Sequence, residues 1–442
     1  MQRYEAYKDS GVEWIGEIPA GWKTSKVRYL ARCLNGDRGE NYPSGEDMVD
    51  EGIAFVTTES IHGLRVDFRK VKRITKERYE TLGGVKLAIG DIVYCLRGSV
   101  GLCSINFDEE AGTVASSLMV IRPIDCNASW LLYAQNSEIA KAQLNEVMNG
   151  TCAANLSAES VSRFILPLPP LPEQQFIADY LDAKTAEIDS IASQTERSIE
   201  LLREYRKSVI SEAVTKGLDP DAPMKDSGVE WIGEIPAGWS LVKLGVVATK
   251  IGSGKTPRGG ANVYHDEGIT FLRSQNIYDT GLRLDDVAYI SEEVDEEMSA
   301  TRVFKGDVLL NITGGSIGRC CTYDLEAHAN VNQHVCIIRP SGKALPKWIR
   351  YFWNSNPGRT TVDIHQSGAN REGLNFEQIA SARIPLPSVN EQTKIVLYID
   401  AKTAEIDSLI ADKQRQVQLL REYRKSLISE AVTGKFKVPR LE

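Results

Sequence analysis

The segment most suggestive of chemistry is Gly252-Ser253-Gly254-Lys255-Thr256, which reads like the end of a phosphate-cradling P-loop. A P-loop needs a glycine at position 249, where Thr249 stands, and a helix opening straight after the Lys-Thr pair, with its amides facing the phosphates. Pro257 is tolerable in a first helical turn, but Arg258-Gly259-Gly260 is a poor helix start. Lys255, Thr256 and Arg258 therefore read as a cationic loop rather than a nucleotide site. A second constellation, Cys320, Cys321, His328, His334 and Cys336, has no zinc-like spacing, and the adjacent Cys320 and Cys321 would point to opposite faces of a strand. No metal site is expected. The sequence has no GxSxG elbow, HExxH pair, GxGxxG fingerprint or Asn/Asp-Pro-Pro-aromatic motif, so catalysis by this chain alone is not expected.

What remains are polar loops carrying Arg, Asn, Gln, Ser and Thr, the side chains suited to base edges and phosphates. In the first half these are Thr57, Thr58 and Ser60, then Arg97 and Ser99, Ser116 and Ser117, and Thr151. In the second they are Lys255, Thr256 and Arg258, then Arg273, Gln275 and Asn276, Thr313 and Ser316, Asn332 and Gln333, and Asn370 and Arg371. Any one of them alone is ordinary turn chemistry; their recurrence in register is the signal. Residues 61–80 add seven bases against three acids, either a solvated face or a phosphate-facing one.

The elements that must position these loops come from a duplication. Residues 8–22, KDSGVEWIGEIPAGW, recur letter for letter at 225–239, and residues 173–216 match 391–434, with DAKTAEIDS and LLREYRKS in both. Between these blocks a skeleton is kept: Asp91 with Asp307, the Gly98-Ser99-Val100-Gly101 turn with Gly315-Ser316-Ile317-Gly318, Ile121-Arg122-Pro123 with Ile338-Arg339-Pro340, and Pro167-Leu168-Pro169 with Pro385-Leu386-Pro387. A repeat this long is a duplicated domain, not a solenoid unit.

Segments 173–216 and 391–434 read as helices. They follow Pro-rich stretches, carry Glu173 and Glu391 in the first turn, and reach Gly217 and Gly434 where a C-cap belongs. At 1.5 Å per residue each spans ~60 Å. Apolar residues step by four and three through Ile177, Leu181, Ile188, Ile191, Leu202, Tyr205 and Val209 in the first, interrupted by Lys184, Thr195 and Ser198. The second repeats this with Ile395, Ile399, Ile406, Leu409, Leu420, Tyr423 and Leu427, interrupted by Lys402, Lys413 and Gln416. Seams this narrow need a partner helix, and the two are expected to pair with each other. An antiparallel pairing would set the globular units at the two ends of a rod, related by a pseudo-two-fold axis.

The regions between read as α+β units: strand-like runs at 53–56, 91–96, 118–121, 269–272, 308–312 and 335–338, and helices near Trp130 to Met148 and Pro346 to Asn354. The expected division is 1–170, 171–217, 218–388, 389–435 and a tail 436–442. A chain of 442 residues, 42% hydrophobic and 25% charged, is long enough for several cores. With no apolar run of ~18 residues and a polar start, no membrane span and a cytoplasmic location are expected. Eight cysteines without a CxxC pair read as reduced, mostly buried thiols. The 60 acids against 52 bases, a net charge of -8, argue weakly against nucleic acid, which only the local distribution can reverse.

The repeated SGVEWIGEIPAGW, the GSVG and GSIG turns followed by IRP, the PLPxxxEQ segments at 167–174 and 385–392 and the DAKTAEID helices together resemble the specificity subunits of type I restriction-modification systems, over nearly the whole chain. That resemblance implies two target recognition domains, each a mixed sheet with flanking helices. Each would read one half of a split double-stranded DNA target, and two long helices would form an antiparallel coiled coil between them. It implies two modification (methyltransferase) subunits docked on the helices, and restriction subunits that translocate DNA. S-adenosylmethionine, ATP and Mg would sit on those partners, with no cofactor and no catalysis in this chain. The alternative from the residues alone is a coiled-coil scaffold whose globular ends bind protein.

Overall fold

The computed structural model describes residues 2–39, 42–150, 156–366 and 373–439. Two compact units emerge: Met1–Thr195 with Arg415–Glu442, and Glu196–Gln414. The long helices run Leu171–Lys216 and Val389–Val432, so each unit owns one end of each.

In unit 1 a six-stranded sheet has the order Ala31–Asn35, Leu118–Pro123, Ile92–Cys95, Cys103–Ile105, Arg65–Val66, Ile61–His62. A four-stranded sheet places Gly112–Val114 parallel to Ile53–Val56. Unit 2 has the matching sheets. Val335–Pro340 lies between Ala248–Ser253 and Val308–Asn311, and Ile269–Leu272 runs parallel to Ala329–Val331. The α+β class and the strand-like runs are as the alternation and turn residues lead one to expect. The helical stretch near Trp130 is two helices, Ala128–Asn136 and Glu138–Gly150, with Ser137 between them; its hydroxyl donates to Ala134 O at 2.6 Å, competing with the helix ladder. In unit 2 the Ser355 hydroxyl donates likewise to Phe352 O at 2.5 Å, between Pro346–Asn354 and Asn356–Gln366.

The repeated motifs turn out to be the frame. The last Trp of the fifteen-residue block is buried in each unit, and its indole donates to the Glu that opens a long helix: Trp22 Nε1 to Glu173 Oε2, and Trp239 Nε1 to Glu391 Oε1, both at 2.9 Å. The following Gln accepts the amide opening the helical pair, Asn127 N to Gln174 Oε1 and Leu345 N to Gln392 Oε1, both 2.8 Å. Asp91 and Asp307 are buried, each in a two-point ion pair with the Arg of its IRP triplet: Arg122 to Asp91 and Arg339 to Asp307, all four bonds at 2.7 Å. A buried carboxylate requires such a partner. The C-cap glycines carry positive φ, +76° at Gly217 and +68° at Gly434, and lie against Trp239 and Trp22 respectively.

In unit 1 the two helical segments run antiparallel: Asp189 pairs with Arg424 at 2.9 Å, while the Tyr180 and Phe436 rings meet at 6.0 Å. In unit 2 Arg206 pairs with Asp407 at 2.9 Å, while Ile210, Ala213 and Val214 share a core with Ile395, Val396 and Ile399. The two ion pairs are duplicates of one another.

The seam differs from its expected course. Ile177, Leu181, Ile188, Val209, Ile395, Ile399, Ile406 and Leu427 are buried, and Leu202 and Leu420 half-buried. Ile191, Tyr205, Leu409 and Tyr423 are exposed, at 37%, 54%, 45% and 48%. Burial instead follows Thr185, Ala192, Ile199 and Arg206 in the first helix and Thr403, Ile410, Val417 and Arg424 in the second. Half of the heptad was thus read one residue early. At the true positions Ile199 and Val417 are buried alongside Thr185 and Thr403, and the two arginines are ion-paired. The apolar neighbours that suggested the other register face outward.

Candidate nucleic-acid interface

The polar loops cluster in each unit because the same backbone bonds tie them. In unit 1 Thr57 caps a 3-10 turn, Thr58–Ser60; Ala115 N donates to Val56 O at 2.9 Å, and Leu96 N and Arg97 N donate to Ser117 O at 2.9 and 3.2 Å. This brings Thr57, Thr58, Arg97, Ser116 and Ser117 to one end of the sheets, with Arg97 and Ser99 exposed. In unit 2 Arg273 caps the matching turn, Ser274–Asn276; Asn332 N donates to Leu272 O at 3.1 Å and Ile312 N to His334 O at 3.0 Å. Asn311 Nδ2 then bridges to Ser274 O at 2.8 Å and Ser316 Oγ at 3.0 Å, so Arg273, Gln275, Thr313, Ser316, Asn332 and Gln333 gather likewise.

Two of the residues picked for reading turn inward. Ser60 is fully buried and its hydroxyl donates to Lys70 O at 3.2 Å; Asn276 is buried and donates to Arg283 O and Asp286 O at 2.9 and 3.1 Å. Both hold the turn rather than present an edge. Thr151, Asn370 and Arg371 lie outside the described residues.

The P-loop look-alike is a strand followed by an irregular loop. Ala248–Ser253 is β-structure, and the next helical element is the 3-10 turn Gly260–Val263. Gly254 is needed because a Cβ there would stand 1.7 Å from Val331 O; Gly36, its counterpart, would meet Val114 O at 2.5 Å. Lys255 Nζ donates to Glu297 O at 2.8 Å, and Thr256 Oγ1 donates to Gln333 Oε1 at 2.5 Å. This adds the exposed Lys255, Thr256 and Arg258 to the unit 2 cluster. Cys320 and Cys321 point into different cores, as their adjacency in a strand demands, and burial pushes the Cys321 thiol up to about 12.

A buried network positions the unit 2 loop 332–334. Asn330, in the strand just before it, donates to Asp295 Oδ1 at 2.9 Å and accepts from Thr301 Oγ1 at 2.6 Å; Arg302 Nε donates to Asp295 Oδ2 at 2.7 Å, with His328 Nε2 at 3.1 Å. Burial raises the Asp295 pKa, but the bonds from Arg302, Asn330 and His328 outweigh it and hold the carboxyl below its ordinary value. In the basic run 61–80, Arg69 pairs with Asp67 and Arg78 with Asp47, both at 2.9 Å, and Arg73 with Glu110; Lys70, Lys72 and Lys76 are exposed.

Arg283 and Arg319 were missed, and Arg65 entered only as one base of the run 61–80. Arg65 lies over the Phe107 ring at 4.9 Å, and Arg283 and Arg319 lie 3.9 and 4.7 Å from the Tyr278 ring centroid. Spacing could not bring Arg319 to Tyr278 or Arg65 to Phe107; the one signal for Arg319 was its place directly after the GSIG turn.

The sequence pattern of the type I restriction modification DNA specificity domain matches twice, at residues 19–201 and 236–419. The chain belongs to this family. Its relatives in the family include the EcoBI specificity subunit of Escherichia coli, 28% identical over 66% of this chain and 62% of that protein. The putative MjaX specificity subunit of Methanocaldococcus jannaschii is 23% identical over 96% of each, and the EcoKI specificity subunit of Escherichia coli K12 21% identical over 95% of this chain and 90% of that one. Among solved structures, a chain from a study of assembly and conformational transition in a type I R-M system superposes with a TM-score of 0.75 at 17% identity, covering 95% of this chain and 99% of that one. The HsdS subunit from Thermoanaerobacter tengcongensis does so at 0.55 and 17%, over 95% and 98%. These two solved chains share this fold. Family membership favours DNA recognition over the protein-scaffold reading, and it makes this chain a non-catalytic subunit. Among the described residues, no helix is long and apolar enough to cross a membrane.

Proposed function

We propose that this chain is the DNA-reading subunit of a type I restriction-modification complex, each unit reading one part of a split, asymmetric target. One observation carries this: the two units keep the same frame, Trp22–Glu173 with Asp91–Arg122 and Trp239–Glu391 with Asp307–Arg339, yet present different side chains at the same loop positions, Thr57 against Arg273 and Ser117 against His334. A frame held constant under a changing surface is what reading two unlike half-sites requires.

In this reading residues 1–170 and 218–388 are the recognition domains, 171–217 and 389–435 the helical spacers, and 436–442 a tail. The exposed loop residues are the readers: Arg97 and Ser99 in the first domain, and Lys255, Thr256, Arg258, Gln275 and Gln333 in the second. Asn370 and Arg371 join the second set and Thr151 the first. The exposed Ile191 and Tyr423 in unit 1, and their duplicates Leu409 and Tyr205 in unit 2, give two copies of one partner like surfaces, which suits two modification subunits. Restriction subunits join through those. S-adenosylmethionine, ATP and Mg belong to the partners, and the complex is cytoplasmic.

The test is reconstitution with the modification subunits, followed by footprinting and sequencing of methylated adenines. Two short protected tracts at a fixed separation are expected. A single continuous tract, or methylation independent of this chain, would count against the reading.

A further inference from the structure

Both units enclose a cavity of about 420 Å³ between the helical segments and the hairpin that follows the first reading turn, and the walls differ in charge. In unit 1 Arg424 is committed to Asp189, and Asp182 accepts from Tyr133 Oη at 2.7 Å. Arg65, over Phe107, is the one arginine left without an acidic partner among the described residues lining it.

In unit 2 Arg206 is likewise committed to Asp407, and Arg359 pairs with Asp279 at 2.5 Å. Four more cations line the cavity, Arg203, Lys207, Arg283 and Arg319, and none has an acidic partner among the described residues. Arg283 and Arg319 are held by the Tyr278 ring, so their guanidinium groups are positioned before any ligand arrives. Like charges gathered in one concavity repel each other and stabilise an entering anion. Arginine forks match phosphate oxygens two at a time.

Resting on the DNA-reading function above, we infer that the unit 2 cavity seats a backbone phosphate of the DNA, an anchor that unit 1 does not carry. The cavity wall is continuous with the reading loops. Arg283 N donates to Asn276 O and Asn276 Nδ2 donates to Arg283 O, both at 2.9 Å, and Arg319 follows the Gly314–Ser316 turn. A phosphate seated there fixes the register of the second unit on the duplex without reading sequence.

The experiment uses the full chain assembled with its modification subunits and compares wild type with the double variant Arg283→Ala, Arg319→Ala. Binding of a target duplex and an unrelated duplex is followed against salt concentration. Affinity should fall about tenfold for both duplexes, keeping their ratio, and the slope of log K against log salt should drop by about one to two. The pair Arg283→Lys, Arg319→Lys should keep most of the slope, separating charge from folding. An unchanged slope in a folded double alanine variant overturns the anchor. Inorganic pyrophosphate is titrated calorimetrically in parallel: heat that the double variant loses while its DNA slope stays as in wild type assigns the cavity to a free phosphate ligand and overturns the DNA source. A wild-type complex that binds no duplex overturns the recognition reading as well, a result distinct from either.

Discussion

Thr113 in unit 1 and Asn330 in unit 2 occupy the same place in matching strands, and each sits just before a reading loop. Thr113 needs one bond, donating to Val85 O at 2.7 Å. Asn330 is one member of a buried charged network with Asp295, Arg302 and His328. The same backbone is thus supported by different chemistry on the loop side, while the opposite side, where Trp22 and Trp239 meet the long helices, is a duplicate down to the distance. The frame tolerates little change because its polar groups are buried and mutually satisfied; the loop supports are local, so each half can replace them without disturbing the other.

The comparison can be broken or sharpened in order of effect. Exchanging residues 240–384 for those of another such subunit should replace the methylated sequence at one half of the target and leave the other half intact, as read by methylome sequencing; a change in both halves breaks the division. Asp91→Ala and Asp307→Ala should each cost about 3 kcal/mol, since each strands a half-buried arginine. Urea unfolding should give equal losses, and a difference well above 1 kcal/mol would mean that the two frames are not equivalent. Trp22→Phe and Trp239→Phe, which leave Glu173 or Glu391 without its indole donor, should cost about 2 kcal/mol each. Gln333→Ala should weaken target binding by about 1 kcal/mol and relax base preference in the second half-site alone; loss of preference in both halves would contradict a separate unit 2 reader.

The smallest effect is one of pH. The folded structure holds the Asp295 carboxyl below its ordinary value, so its contribution is complete above the unfolded pKa of about 3.9 and is lost as pH falls through the folded value. Hydrogen exchange should then show the amides of 332–334 losing protection in acid before those of 115–117. Simultaneous loss would show that the network does not set the stability of the loop.

Much of this was legible early, and the reasons are specific. The duplication exposed the frame, because residues that must satisfy each other in both halves repeat in both: Asp91 and Arg122 are far apart in the chain, but their joint recurrence with Asp307 and Arg339 marked them. The helix ends were marked by Pro, Glu and Gly, whose effects are local. The seam was half legible. Ile191 and Tyr205 look like core residues, whereas Thr185 and Arg206 are admitted to the interface by a hydroxyl that bonds its neighbours and by an acid on the facing helix. Reading residues were legible as loops but not as individuals, since Ser60 and Gln275 are alike on paper and only the fold buries the first and exposes the second.

By itself, then, the sequence determined a doubled architecture, its long helices and the places of its loops, because repetition, capping and hydrophobic period act through neighbours along the chain. Only the tertiary structure decided which helix face is covered, which polar groups hold the loops and which present them, and that six cations of unit 2 line one cavity, two of them paired with acids. Those outcomes depend on residues tens to more than a hundred positions apart meeting in space, and on whether each buried polar group finds its partner there.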